Sequence, residues 1–328
     1  MRIRSVSLLL KHGIMLCVAF IACACEHKEL CYDHSHVVEL DIRFDWSEAL
    51  ASELLASKAS PSDALPSTMV VQFFTTDGRY YESRELSNDG GKIRIEAGEY
   101  KLLFHNGGME TVDEQGDRYD DYKLSGIPQT LLDPMGRGEM KGDTPPRPEG
   151  TEEEPVRATP EMVWGGSHEY LNLEVGMEGQ TVTLTPTEAT AEYSIEIRNI
   201  ENWDNELDFS AALSGMAQSW RIADSTPCAK ATLSFGLRPG EDENHDPTLV
   251  ARFFSFGHCP EEESKHILSI YTSNKYHYTR DVTDRLHETL DAKHIEIIID
   301  GLKLPGSGVN PDMEDWGDNE EDIEIDMN

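Results

Sequence analysis

Apolar residues in this chain recur at every second position, and that period restricts its fold more than any other feature. Val38, Leu40, Ile42, Phe44 and Trp46 alternate with polar partners, the mark of a strand with one buried and one wet face. The pattern returns at 69–75, 79–85, 93–95 and 100–104, then at 170–175, 181–186 and 192–200. It continues through 208–214, 231–237, 249–257, 266–272 and 294–300. Asp77-Gly78, between the second and third runs, is a hairpin signal. Helical spacing shows only at 47–59, with Ser47 as N-cap, and at Val282–Leu290. Many short strands punctuated by Gly, Asn, Asp and Pro predict an all-β chain of antiparallel β-sandwiches with one or two short helices. At 328 residues the chain has room for two such domains.

The N-terminus departs from this pattern. Arg2, Arg4 and Lys11 precede the apolar stretch Ile14–Ala24, which is too short to span a bilayer, and Ala22 and Ala24 lead into Cys25. A secretory signal ending in small residues before a cysteine is a lipoprotein signal, so residues 1–24 are expected to be removed and Cys25 to carry the lipid. An ordinary signal peptide with a disulfide-bonded Cys25 is the alternative. Residues 25–36 then form a polar tether. A first sandwich is expected over 37–188 and a second over 189–328. The six prolines between Asp133 and Pro160 predict a disordered loop at 134–160 inside the first domain. After Pro311 the chain is strongly acidic, yet Ile323, Ile325 and Met327 alternate. A terminal strand at 322–327 with Trp316 turned inward competes there with a disordered tail.

Charge and motifs narrow the function. The chain has 28 Lys and Arg against 62 Asp and Glu, a net charge of −34, which argues against nucleic acid as a partner. No GxSxG elbow, HExxH pair, phosphate loop, dinucleotide fingerprint or CxxC occurs, and His287-Glu288 lacks a second His four residues on. No catalytic residue, metal or cofactor is therefore assigned, and the chain is expected not to be an enzyme. Cys31, Asp33, His34 and His36 could hold a borderline metal, but a polar stalk accounts for them equally. The acidic runs Asp113–Asp121, Glu241–Asp246 and Asp312–Asp322 match no calcium loop. Tyr119, Tyr122, Trp203, Trp220 and Tyr276 fit either a glycan platform or core packing. Asp224-Ser225-Thr226 fits a short O-glycosylation triplet. In an oxidising compartment Cys228 and Cys259 either form a disulfide or stay free, and Cys31 is left over.

Several segments together carry a family likeness. They are Cys25-Glu26-His27-Lys28-Glu29-Leu30-Cys31, Tyr193-x-Ile195-x-Ile197 and Leu213-Ser214-Gly215-Met216-Ala217, then Phe254-Ser255-Phe256-Gly257, Leu268-x-Ile270-Tyr271, Asp281-Val282-Thr283 and Ile295–Ile299. In this order they resemble a family of Bacteroides lipoproteins with a domain of unknown function. That family is similar in turn to the minor-fimbrillin anchor proteins of Bacteroidales type V pili. The resemblance implies two tandem transthyretin-like β-sandwiches of Greek-key type and an outer-membrane lipoprotein that anchors or accompanies a fimbria. Its partner would be a fimbrial subunit gripped at an exposed β-edge. A glycan- or host-ligand-binding surface lipoprotein is the alternative.

Overall fold

Strand formation follows the alternation closely. A computed structural model describes residues 36–47, 65–137, 144–259, 264–305 and 316–318. The first half contains β1 (Val37–Phe44), β2 (Thr68–Thr75), β3 (Tyr80–Ser87), β4 (Gly90–Glu96), β5 (Gly98–Asn106), β6 (Val112–Gln115) and β7 (Lys123–Gly126). After a 3-10 turn at Asp133–Met135 come β8 (Val156–Ala158), β9 (Trp164–Leu173), β10 (Gln180–Leu184) and β11 (Thr187–Glu188). The second half runs β12 (Ala191–Glu201), β13 (Phe209–Arg221), β14 (Thr226–Glu241), β15 (Pro247–Ser255), β16 (Ile267–Thr272) and β17 (Tyr276–Asp281). It ends with α1 (Thr283–His287), β18 (His294–Lys303) and β19 (Gly317–Asp318).

The two halves repeat one strand order. The first sheet reads β10-β1-β4-β3-β2-β5-β9, with β11 added at its end, and the second reads β18-β12-β15-β14-β13-β16-β17, with β19 added. Numbered within each half, both are 7-1-4-3-2-5-6. Each folds into two layers at the junction of its third and fourth strands. In the first half β3 and β4 share only the pair Ser87↔Gly90. The fold class is as expected, but the sandwiches are not purely antiparallel. β1 runs parallel to β10, and β12 runs parallel to β18. The closing strand of each half crosses the sandwich and returns in the direction of the opening one.

Apolar faces of the two layers meet in each half. Leu40, Ile42, Ile93 and Val182 face Val71, Phe73, Leu102 and Leu171 in the first core. Ile195, Ile197, Leu249 and Ile297 face Leu213, Leu233, Leu268 and Tyr278 in the second. A third cluster joins the halves, with Phe74 and Leu103 from the first sandwich, Tyr119, Tyr122 and Leu124 between them, and Ala217, Trp220 and Ile222 from the second. Gly90 permits the layer corner: its φ is +96°, and a Cβ there would lie 2.0 Å from the Ile42 carbonyl oxygen. Gly90→Ala is expected to cost about 3 kcal/mol in chemical denaturation, because left-handed strain and a backbone clash coincide.

Residues 112–126 and 156–158 do not complete the first sheet, contrary to expectation. β7 pairs with β13, β6 with β7, and β8 runs parallel to β14. Nor is the described part of 134–160 a free loop. Arg147 Nη2 donates to Thr232 Oγ1 at 3.0 Å, the Tyr271 hydroxyl donates to the Pro146 carbonyl at 3.0 Å, and Thr232 Oγ1 donates to Glu154 Oε2 at 2.8 Å. The six prolines lower the entropy of an extended strap, and side-chain hydrogen bonds hold it on the second sheet. After this excursion the chain returns to the first sheet at β9 and passes to the second for the last time between β11 and β12. Trp316 packs edge-on against Tyr271 at 5.8 Å. The signal segment 1–24, Cys25, Cys31, Asp33, His34, most of the helix expected at 47–59, and the strand expected at 322–327 lie outside the described residues.

Candidate functional site

A groove opens where β14 and β15 part. β14 is 16 residues long and serves both layers. Its last residues, Arg238–Glu241, pair with Pro247–Val250. Before Arg238 it follows β13 and β8, while β15 beyond Val250 follows β12 alone. Among the described residues, no strand pairs on the groove side with 235–237 of β14 or with 251–255 of β15. Two rows of backbone donors and acceptors therefore flank one cleft, an arrangement that invites an added strand.

The cleft encloses about 830 Å³. Ser194, Glu196, Val250, Arg252 and Glu296 line one side from the outward face of β12, β15 and β18, and Gln129, Pro134, Ala158 and Thr159 line the other. Phe235 stacks on Phe253 at 4.2 Å, and Phe253 on Tyr193 at 5.4 Å, giving a rigid apolar base. Hydrogen bonds from Arg198 hold the Glu196 carboxyl below the ordinary range. Arg252 Nε bonds Glu192 Oε1 at 2.9 Å. Gly236 sits in this lining, where a Cβ would meet nothing closer than the Pro134 carbonyl oxygen at 3.5 Å. Apolar contact and free backbone groups suit this site to an extended peptide.

A buried polar cluster fixes β6 to the first sandwich beside the junction. Gln72 Nε2 donates to Glu114 Oε2 at 3.0 Å and to the Tyr122 hydroxyl at 2.7 Å, and that hydroxyl donates to the same carboxylate. Burial and Glu114 push the Tyr122 phenol up. His105 is 0% exposed, with Nε2 3.6 Å from Glu114 Oε1. Burial outweighs the attraction of Glu114 and lowers its pKa from 6.5, so the imidazole is neutral in the fold. A His with a depressed folded pKa takes up its proton more readily when unfolded. Stability is therefore expected to fall as pH drops below about 6.5, and His105→Gln to flatten that slope in thermal melts between pH 7.5 and 5.

The residues singled out in the sequence are dispersed. Cys228 and Cys259 are free thiols. Cys228 lies opposite Ser219, whereas the Cys259 amide donates to the Gly215 carbonyl, so no bridge forms. Tyr119, Tyr122, Trp220 and Tyr276 are buried, and Trp203 stacks on Phe209 at 5.9 Å; they are core rather than a glycan platform. His36 meets Glu96 at 3.4 Å on the surface. Asp113 lies on β6, and Asp242 caps a turn by accepting from the amides of Asn244 and Asp246. Thr226 of the glycosylation triplet donates its hydroxyl to Asp224, itself paired with Arg221. No group of three or more His, Cys, Asp or Glu among the described residues could hold a metal ion. Sequence reading missed the groove. Its one signal is Pro239-Gly240 inside a strand, a pair that marks a place where pairing changes.

Residues 24–236 match a family model described as a domain of unknown function, DUF5119. No curated protein matches the sequence. Among solved structures, a provisionally assigned adhesin from Bacteroides ovatus is similar at 17% identity, with a TM-score of 0.52 over 82% of this chain and 94% of that one. The fimbrial anchor protein Mfa2 from Porphyromonas gingivalis is similar at 12% identity, with a TM-score of 0.49 over 80% of this chain and 90% of that one. The likeness to the adhesin is one of fold.

Proposed function

From the premise that the chain belongs to the DUF5119 family, we propose that it is a fimbria-associated adhesion protein of the cell surface. It acts as an anchor or accessory subunit and grips a fimbrial subunit by accepting an extended segment between β14 and β15. The groove with its two unpartnered strand edges carries this reading. The adhesin from Bacteroides ovatus, whose fold it shares, supports it. In the same reading a lipid on Cys25 holds the protein in the outer membrane, and the protein transforms no substrate.

The test is a photo-crosslinking residue placed at Val250 in the full-length protein on intact cells. Val250 is 37% exposed and lines the groove. An adduct with a fimbrial subunit, absent when the crosslinker sits at exposed Tyr170 on the first sandwich, supports the proposal. Adducts that never contain a fimbrial subunit overturn it.

A further inference from the structure

A short turn, residues 222–225, joins β13 to β14, and the fold leaves one hydroxyl on it unused. Arg221 ends one strand and Thr226 begins the next, paired directly across the turn. Ile222 and Ala223 fasten the turn to the first half. Ile222 is buried and its amide donates to the Tyr122 carbonyl at 3.3 Å, while the Ser167 hydroxyl donates to the Ala223 carbonyl at 3.1 Å. Asp224 and Ser225 stand exposed at the tip. The Ser225 backbone is left-handed, with φ +55°, and its amide donates to the Ile222 carbonyl at 3.4 Å.

The polar side chains beside Ser225 are already engaged with one another. Arg221 Nε and Nη2 donate to the two Asp224 carboxylate oxygens at 2.9 and 2.6 Å. The Thr226 hydroxyl donates to Asp224 Oδ1 at 2.6 Å and accepts from Arg221 Nη2 at 3.0 Å. Hydrogen bonds from Arg221 and Thr226 hold the Asp224 carboxyl below the ordinary range, so a fixed anion stands next to Ser225. Among the described residues the Ser225 hydroxyl makes no hydrogen bond. In the triplet Asp224-Ser225-Thr226 the third residue is therefore tied into the turn and the second is open to reagents. Asp precedes Ser or Thr at one other place, Asp143-Thr144, where Pro145 follows and the triplet is not formed.

We propose that Ser225 is an O-glycosylation site, modified after export by a transferase that uses a phosphate-linked glycosyl donor. Ser225 Oγ bonds to the anomeric carbon of the sugar as the bond from that carbon to the donor's phosphate oxygen breaks. The phosphate leaves with the bonding electron pair, and the hydroxyl proton passes to a base of the transferase. An exposed hairpin tip can enter such an active site without unfolding, and a sugar there remains in solvent. The glycan would stand beside the seam between the halves. Phe235, where the groove begins, lies ten residues further along β14, about 30 Å at roughly 3.3 Å per residue, so the sugar leaves the groove open. This inference rests on export of the chain, which belongs to the surface reading above, and not on the groove.

The test is mass spectrometry of the full-length protein isolated from its native cells. Trypsin, cutting after Arg221 and Lys230, releases the peptide Ile222–Lys230. That peptide is expected to be heavier by whole sugar residues, with fragmentation placing them on Ser225. Ser225→Ala should abolish the added mass. Asp224→Asn, which keeps the acceptor hydroxyl, should lower its occupancy at least tenfold. Both positions are exposed, so neither variant should shift Tm appreciably. An unmodified peptide from membrane-bound protein, or added mass that persists in Ser225→Ala, overturns the proposal and leaves the surface reading standing. Protein recovered from the cytosol with residues 1–24 still attached would overturn the surface reading, and this proposal with it.

Discussion

Trp220→Ala is expected to lower the unfolding free energy by about 3–5 kcal/mol, the range for truncating a buried tryptophan. Trp220 is 3% exposed in the cluster joining the halves. Its strand, β13, also receives β7 there, with Trp220 opposite Leu124. Truncation would remove apolar area from both sandwiches and leave a cavity beneath Phe74 and Leu103. Each half keeps its own core, so the loss should fall on their coupling. Calorimetry is expected to show two transitions for the variant and one for the parent. Trp203→Ala is the control: Trp203 is half-buried at the margin of the second core, and its loss should cost clearly less. A single, undisplaced transition in Trp220→Ala would mean that the seam contributes little.

Gly236→Tyr is expected to weaken capture of a fimbrial subunit more than tenfold while leaving Tm within a few degrees of the parent. Gly236 has negative φ and an open approach on the groove side, so the added ring would occupy the space meant for the incoming segment. Its backbone pairing with Ser210 of β13 faces the other way and should survive. An added strand gains about 0.5–1.5 kcal/mol per hydrogen bond, so blocking three bonds exceeds the 1.4 kcal/mol that corresponds to tenfold. Surface plasmon resonance with purified subunit over the immobilised protein measures this. Equal binding by parent and variant would move the partner to another edge.

The alternation made β1, β12 and β18 legible, because each buries one face and leaves the other at least partly exposed. It identified strands but not their neighbours. Burial along β14 is compatible with several partners, so its division between β13 and β15 could not be read, and neither could the shared strand order of the two halves. β6, β7 and β8 are three or four residues long, too short for any period to show. The proline-rich segment looked disordered because its hydrogen bonds reach across the chain, Arg147 to Thr232 and Tyr271 to Pro146; composition does not report distant partners. Core packing is the use that aromatics such as these favour over a glycan platform, and the burial of Trp220 and Tyr276 agrees with it.

The place of β1 in its sheet has a mechanical consequence. β1 is the first described strand after the N-terminal segment, and it is bonded along both sides, antiparallel to β4 and parallel to β10. Were Cys25 lipid-anchored as proposed, tension arriving through the N-terminal segment and directed along the strand axis would load both ladders in shear. All the bonds would then have to yield together rather than unzip one at a time. On the proposed reading, a protein held by one end and gripping a long appendage with the other would thereby withstand drag.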